Sequence, residues 1–332
     1  MTARGVMRAL WSPWRWYEEK IRIILELQNQ LTQVSDALAQ VSDERDRLRR
    51  LLDDSDAVQH VAPGHFYSPI PSKSDVEEYL AKQARQTPLR ELPAIMMKAG
   101  LQLEVLESLK PYYPQVPFRT KPVDGLLYHL DSPNYPYSDG IILFCMLNHL
   151  RPRRLIEIGS GYSTCAILDT NRLFLNSQIE ITCIEPHPDL LRSLIAKSND
   201  ALTIIESKLQ DTKIDIFDRL ERGDILFIDS SHISKVGSDV NYIFFEVLPR
   251  LKTGVIIQIH DIYFGFEYPG VWLREGRAWN EAYVLRAFLE YNEHFRVLHF
   301  SSYLQNWHEA WFREHMPDTL VNKGGCFWME KV

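Results

Sequence analysis

Two apolar runs in the second half of the chain end in acids and imidazoles. Asp224-Ile225-Leu226-Phe227-Ile228-Asp229-Ser230-Ser231-His232 delivers Asp229 and His232, and the run from Gly254 to Ile259 leads into His260-Asp261. Short apolar runs bounded by turn residues are the pattern of strands buried on both faces of a parallel sheet. Adjacent parallel strands bring such endings to one edge, the edge at which ligands bind in open α/β sheets. Asp229, His260 and Asp261 offer two carboxylates and an imidazole, an open octahedral set for Mg²⁺ or Mn²⁺. Without a metal, the same edge could take the proton of a hydroxyl, with His232, His260 or Asp229 as the base.

A third stretch, Arg154 to Thr164 (RLIEIGSGYST), reads as a buried strand running into a glycine turn. Glu157 interrupts the apolar run, and a carboxylate there is costly unless it has a partner. Gly159 and Gly161 let the backbone turn sharply and approach a ligand, and Ser163 and Thr164 can cap the helix that follows. The E-x-G-x-G spacing resembles motif I of the class I S-adenosylmethionine (SAM) dependent methyltransferases. That resemblance implies that Glu157, Gly159, Ser160, Gly161, Ser163 and Thr164 gather around the amino-acid end of SAM. The dinucleotide fingerprint G-x-G-x-x-G is not met, because Thr164 stands where its last glycine would be.

The next apolar run, Glu180 to Ile184, ends in Glu185. That position lies about 20 residues past the glycines, where Rossmann-like folds set a carboxylate on ribose hydroxyls. Leu202 to Ser207 is a third strand, followed by Asp211. Asp211 is either a turn residue or, by the same resemblance, the acceptor of the adenine amino group.

From about Asn134 to Val332 the chain is similar to the O-methyltransferases that modify sugars on macrolides and aminocoumarins. Those enzymes hold Mg²⁺ with an Asp after one strand and an Asp-Asp pair after the next. Asp229 and Asp261 match two of these ligands, His260 stands in for the third, and Ser231 falls where their acidic base would be. His232 is the natural substitute base, with His260 next. The aromatic stretch after the pair would form the acceptor wall, through Tyr263, Phe266, Tyr268, Trp272 and Trp279, with Glu281 bonding hydroxyls. Aromatic faces suit the apolar faces of sugars and flat acceptors.

These residues need a scaffold, and the rest of the chain supplies it. Strand-helix alternation through Cys326–Glu330 predicts an α/β fold. It is a Rossmann-like class I methyltransferase sheet over residues 134–332, closed by a C-terminal antiparallel hairpin. Ser138 or Asp139 would cap the helix before the first strand, and Ser74 with Glu77 would form a capping box. Residues 57–133 read as linker and helical cap, with a helical region over Leu89–Leu109. His65, Phe66 and Tyr67 are either a lid over the site or a solvent-facing loop.

Residues 18–56 carry a heptad pattern. Ile24, Leu31, Leu38 and Leu52 fall at position a, Leu27, Val34, Val41 and Leu48 at position d, and Arg45 is the polar exception at a. So narrow a seam predicts a coiled coil that makes a homo-oligomer. Residues 1–17, with Arg4, Arg8 and Arg15 among Trp11, Trp14 and Trp16, are either a peripheral membrane contact or a short tail that packs on a neighbouring subunit or stays loose.

Composition bounds the partners. A net charge of -7 over 332 residues argues against a nucleic-acid binder, which wants a basic face. Four widely spaced cysteines, Cys145, Cys165, Cys183 and Cys326, show neither zinc spacing nor a disulfide framework and suit a reducing, cytoplasmic setting. No apolar run approaches the roughly 18 residues of a membrane span. The expected activity is SAM-dependent O-methylation of a sugar or glycan hydroxyl. The alternatives are methylation of a phenol, amine or carboxylate in secondary metabolism, or a scaffold that binds SAM without turnover.

Overall fold

The computed structural model describes residues 13–53 and 60–332. Two compact units part between residues 62 and 63. The first carries α1 (Pro13–Asp53), one uninterrupted helix of 41 residues. At 1.5 Å per residue that is about 60 Å of rod. Its seam residues Ile24, Leu27, Leu31, Val34, Leu38 and Val41 are all more than half exposed in the single chain. Residues 1–12 of the aromatic and basic tail, and residues 54–56 of the expected coiled coil, lie outside the described residues.

The second unit is built on seven strands: β1 (Arg154–Ile158), β2 (Glu180–Ile184), β3 (Thr203–Ile205), β4 (Ile225–Ile228), β5 (Ile256–Ile259), β6 (Phe295–Phe300) and β7 (Phe327–Lys331). They form one sheet in the order β3-β2-β1-β4-β5-β7-β6. β1 to β5 run parallel, and β7 lies antiparallel between β5 and β6. This is the expected Rossmann-like sheet with its antiparallel ending. Every residue of β4 and β5 is buried, as an apolar strand covered on both faces must be. The chain leaves β1 towards β2 and β3, then crosses back to β4. The gap between β1 and β4 is therefore the switch point at which open α/β sheets bind ligands.

The helices that precede the sheet begin differently from the sequence expectation. α2 (Lys73–Gln83) is capped by Ser72, whose hydroxyl accepts from the Asp75 N–H while Asp75 accepts from the Ser72 N–H. The capping box is thus Ser72 and Asp75, not Ser74 and Glu77, because both pairs satisfy the same spacing. α3 spans only Ala99–Leu109; Pro93 has no N–H to give and resists a helix before it. α4 (Ser138–Leu150) has no side-chain cap, and Asp139 turns inward instead. α5 (Tyr162–Phe174) follows β1. Its buried Asp169 accepts the N–H groups of Leu127 and Tyr128 at 2.8 and 2.9 Å, pinning the segment that leads into α4 onto the domain. All four cysteines are buried and free. Among the described residues no helix is long and apolar enough to cross a membrane.

One core residue gives the fold a pH dependence. His299 on β6 is fully buried, with Nε2 3.1 Å from the Ser301 hydroxyl and Nδ1 without a partner. Burial pushes its imidazole down to about 3. The unfolded chain takes up this proton near pH 6.5 and the folded chain does not. The stabilisation is therefore complete above about pH 6.5 and is lost at about 1.4 kcal/mol per pH unit as pH falls towards the folded value. Urea unfolding of His299→Leu between pH 6 and 4 should show a slope of stability against pH flatter by about 1 kcal/mol per unit. Parallel curves for the two proteins would refute this.

Candidate active site

Gly159 closes the gap between β1 and β4. Its φ is +80°, and a Cβ there would stand 2.0 Å from the Asp229 carbonyl oxygen. No other residue lets the end of β4 approach so closely. Asp229 N–H donates to the Ile158 carbonyl at 2.8 Å, and Gly159 N–H to that of Ile184 at 3.1 Å. One turn thus ties the ends of β1, β2 and β4. Gly161 is extended, with nothing nearer its Cβ direction than 3.7 Å, so it is not required for the same reason.

Glu157 lies beneath this turn, fully buried. Ser163 and Thr164 hydroxyls each donate to its carboxylate at 2.6 Å, and the Cys183 thiol donates at 3.2 Å. Burial raises its carboxyl to about 7 against the pull of these donors. Thr164 in turn accepts the Gly161 N–H at 3.0 Å. Glu157, Ser163 and Thr164 therefore shape the loop from below rather than lining the space above it. The costly buried acid finds its partners within its own turn.

Above the loop lies a cleft of about 540 Å³, bordered by Gly159, Glu185, Gln210, Asp229, Lys235 and Asp239 among others. Glu185 accepts the Ser160 N–H at 3.1 Å and the His187 N–H at 2.8 Å, which fixes its carboxylate at the rim. Asp211 does not border this cleft. It lines a separate hollow with Thr212 and Arg219, because the 3-10 turn Leu209–Asp211 aims Gln210 inward and Asp211 outward.

Asp229 borders the cleft on one side and a polar cluster on the other. His232 and Asp261 both have positive φ, 60° and 58°, and these bends bring the two side chains together. His232 Nε2 lies 3.5 Å from Asp229 Oδ1 and 3.6 Å from Asp261 Oδ2. Its Nδ1 lies 2.8 Å from Glu281 Oε2. Asp229, His232 and Asp261 form a group whose ligand atoms all lie within 4.8 Å of one another, a spacing that fits a single divalent ion. His260, expected in this set, is not in it. Its Nδ1 faces Asp229 at 3.3 Å and its Nε2 faces Asp139 at 3.4 Å, so both nitrogens are engaged in the protein. Asp139, with Cys326, completes a second, fully buried group around His260.

The charges agree with a cation at the first group. Four carboxylates, Asp139, Asp229, Asp261 and Glu281, surround two imidazoles, His232 and His260. Burial opposes charge on His232, but Asp229 and Glu281 outweigh it and raise the imidazole to about 10. Burial likewise opposes charge on His260, and Asp261, Asp229 and Asp139 hold it well above the usual range. Asp229 is held low by both imidazoles despite its burial, whereas burial pushes Asp261 up. A divalent ion on His232 Nε2 would take the place of the proton held there, because only a neutral imidazole binds a metal.

The aromatic stretch divides in the structure. Trp279 stacks on His232 at 4.4 Å, Trp272 meets Trp279 edge-on at 5.3 Å, and Tyr263 meets Trp272 at 5.6 Å. The Arg277 guanidinium lies over both tryptophans. Phe266 is instead buried among Phe300 and Phe327, and Tyr268 is buried with its hydroxyl accepting the Ala282 N–H. Glu281, fully buried, is spent on His232 and the Ser230 hydroxyl. These three are corrected from acceptor contacts to support. Asp139, Arg277 and the true role of Glu281 escaped the sequence reading; only the buried setting of an acid beside a strand could have pointed to them.

Residues 156–262 match a family model described as a methyltransferase domain. An uncharacterized protein of Archaeoglobus fulgidus is 35% identical over 162 residues, 48% of this chain and 73% of that protein. Among solved structures, the SAH-bound methyltransferase PaMTH1 of Podospora anserina is 15% identical, covers 80% of this chain and 99% of its own, and has a TM-score of 0.40. A methyltransferase from Geobacter sulfurreducens is 12% identical, with 72% and 98% covered and a TM-score of 0.36.

The loop geometry makes a contrast that urea unfolding can read. Gly159→Ala should lose at least about 2 kcal/mol through strain and clash, and Gly161→Ala less than about 1 kcal/mol. Equal losses would mean that the approach of Asp229 to Gly159 does not constrain the turn.

Proposed function

Because the chain carries a methyltransferase domain and belongs to one family with the Archaeoglobus fulgidus protein, we propose that it uses SAM to methylate a hydroxyl of a sugar or glycan. A divalent cation held by Asp229, His232 and Asp261 would assist. The observation that carries this reading is a juxtaposition: Asp229 borders the cofactor cleft and also belongs to the cation-sized group. A methyl donor and an acceptor hydroxyl would thus meet at one carboxylate. SAM would supply the electrophilic methyl group, and a cation would lower the pKa of the hydroxyl.

The cleft volume falls within the range of small-molecule sites, and Glu185 at its rim suits ribose hydroxyls. The chain's own residues do the positioning. Glu281 holds Nδ1 of His232, and Trp279 backs the ring, so Nε2 is the atom turned to the edge, and it would give up its proton there to bind a cation or to act as a base. Holding a His ligand through its other nitrogen is the usual second support of metal sites. Trp272, Trp279 and Tyr263 offer the acceptor an aromatic wall beside that nitrogen.

We further propose that α1 pairs with the same helix of a second copy, which would cover its exposed heptad seam. Leu31→Asp with Leu38→Asp should reduce the mass seen by sedimentation to that of one chain, and an unchanged mass would rule out this seam.

Calorimetry should show SAM binding in EDTA, and separately a Mn²⁺ or Mg²⁺ site that weakens at least about 100-fold in Asp261→Asn. Transfer of labelled methyl to glycan acceptors should then depend on the ion. SAM binding and turnover with no divalent site would move the proton to His232 Nε2. Absence of SAM binding would overturn the reading altogether.

A further inference from the structure

We propose that Asp139 is a positioning residue for the reacting edge. It fixes the His260 ring, and the ring in turn holds the Asp229 carboxylate. This rests on the proposed reading only in placing Asp229 at that edge.

Asp139 belongs to the first turn of α4, far from β4 and β5 in sequence, yet it is 5% exposed. Its Oδ1 accepts the Gly325 N–H at 3.0 Å and the Cys326 thiol at 3.1 Å. Its Oδ2 faces His260 Nε2 at 3.4 Å. One carboxylate thus joins α4, the end of β5 and the entry to β7. The chain makes room for it: a Cβ on Gly324 would stand 2.5 Å from Asp139 Oδ1, and one on Gly325 3.1 Å from Asp261 Cα. Gln305 and the Ser138 hydroxyl, 2.7 Å apart, close the same turn.

His260 has little freedom between these partners. Tyr135 covers the ring at 4.9 Å, and the ring is 3% exposed. Its Nδ1 reaches Asp229 Oδ1 at 3.3 Å. A flip of the ring would set carbon atoms against both carboxylates. Each ring nitrogen thus has one carboxylate as its neighbour, Nε2 that of Asp139 and Nδ1 that of Asp229. Asp139 borders neither the cleft nor the cation-sized group, so it acts through His260 and touches no reactant. A buried polar network of this kind fixes one geometry when every member is satisfied.

The test is a crystal structure and a methyl-transfer assay of the whole protein for each of three variants. In Asp139→Ala the His260 ring should turn or shift and the Asp229 carboxylate should leave its place; in Asp139→Asn the shift should be smaller. Cys326→Ala, which removes another partner of Asp139, should leave the ring and Asp229 where they are. In methyl-transfer assays Asp139→Asn should lower kcat by about 10- to 100-fold with KM for SAM unchanged. A purely structural role would lower the melting temperature and leave kcat intact, and that outcome overturns the proposal. So does a His260 ring and an Asp229 carboxylate that keep their places in both Asp139 variants. A displaced ring in a protein whose wild type transfers no methyl group would instead refute the proposed function.

Discussion

A carbonyl oxygen occupies the space where Gly159 has no side chain. Through that contact the end of β4 reaches the turn after β1, and Asp229 comes to the switch point of the sheet. The buried acid Glu157 holds the turn from beneath through two hydroxyls and a thiol. The buried donors and the buried carboxylate satisfy one another, so removing either side would leave unpaired polar groups in the core, at about 1–3 kcal/mol each. The cleft, the polar cluster and the aromatic wall all take their positions from this junction.

The cluster itself is a problem in charge. Carboxylates from α4, β4, β5 and the helix Glu281–Leu289 converge on two buried imidazoles. Such an arrangement is expensive unless positive charge enters it. The two imidazoles divide the task. His260 is enclosed, with both nitrogens facing carboxylates of the protein. His232 keeps one nitrogen for Glu281 and turns the other towards Asp229 and Asp261. On the proposed reading the first imidazole would hold the edge and the second would complete a place for a cation.

Much of this was legible in the sequence where physics is local. Apolar runs with an acid inside or just after them marked β1, β2, β4 and β5, and the positions of Asp229 and Asp261 followed from the sheet alone. Glu157 announced itself as an acid needing partners, although its partners proved to be Ser163, Thr164 and Cys183 instead of a ligand. What was not legible depended on backbone bends or distant contacts. Nothing in Ser231-His232 or His260-Asp261 declares the positive φ values that exchange the roles of the two histidines. Glu281 and Asp139 reach the cluster from helices that carry ordinary amphipathic and apolar patterns. Phe266 reads like its aromatic neighbours until the fold buries it against β6 and β7.

The central claim is that a divalent ion at Asp229, His232 and Asp261 sits beside the methyl donor. The direct test is anomalous diffraction at the manganese edge from crystals grown with Mn²⁺ and the demethylated cofactor. The account predicts one peak at about 2.0–2.2 Å from a carboxylate oxygen of Asp229, from His232 Nε2 and from a carboxylate oxygen of Asp261, with the cofactor in the adjoining cleft. A peak on His260 and Asp139, or a cofactor bound in that cleft with no peak beside it, would contradict it.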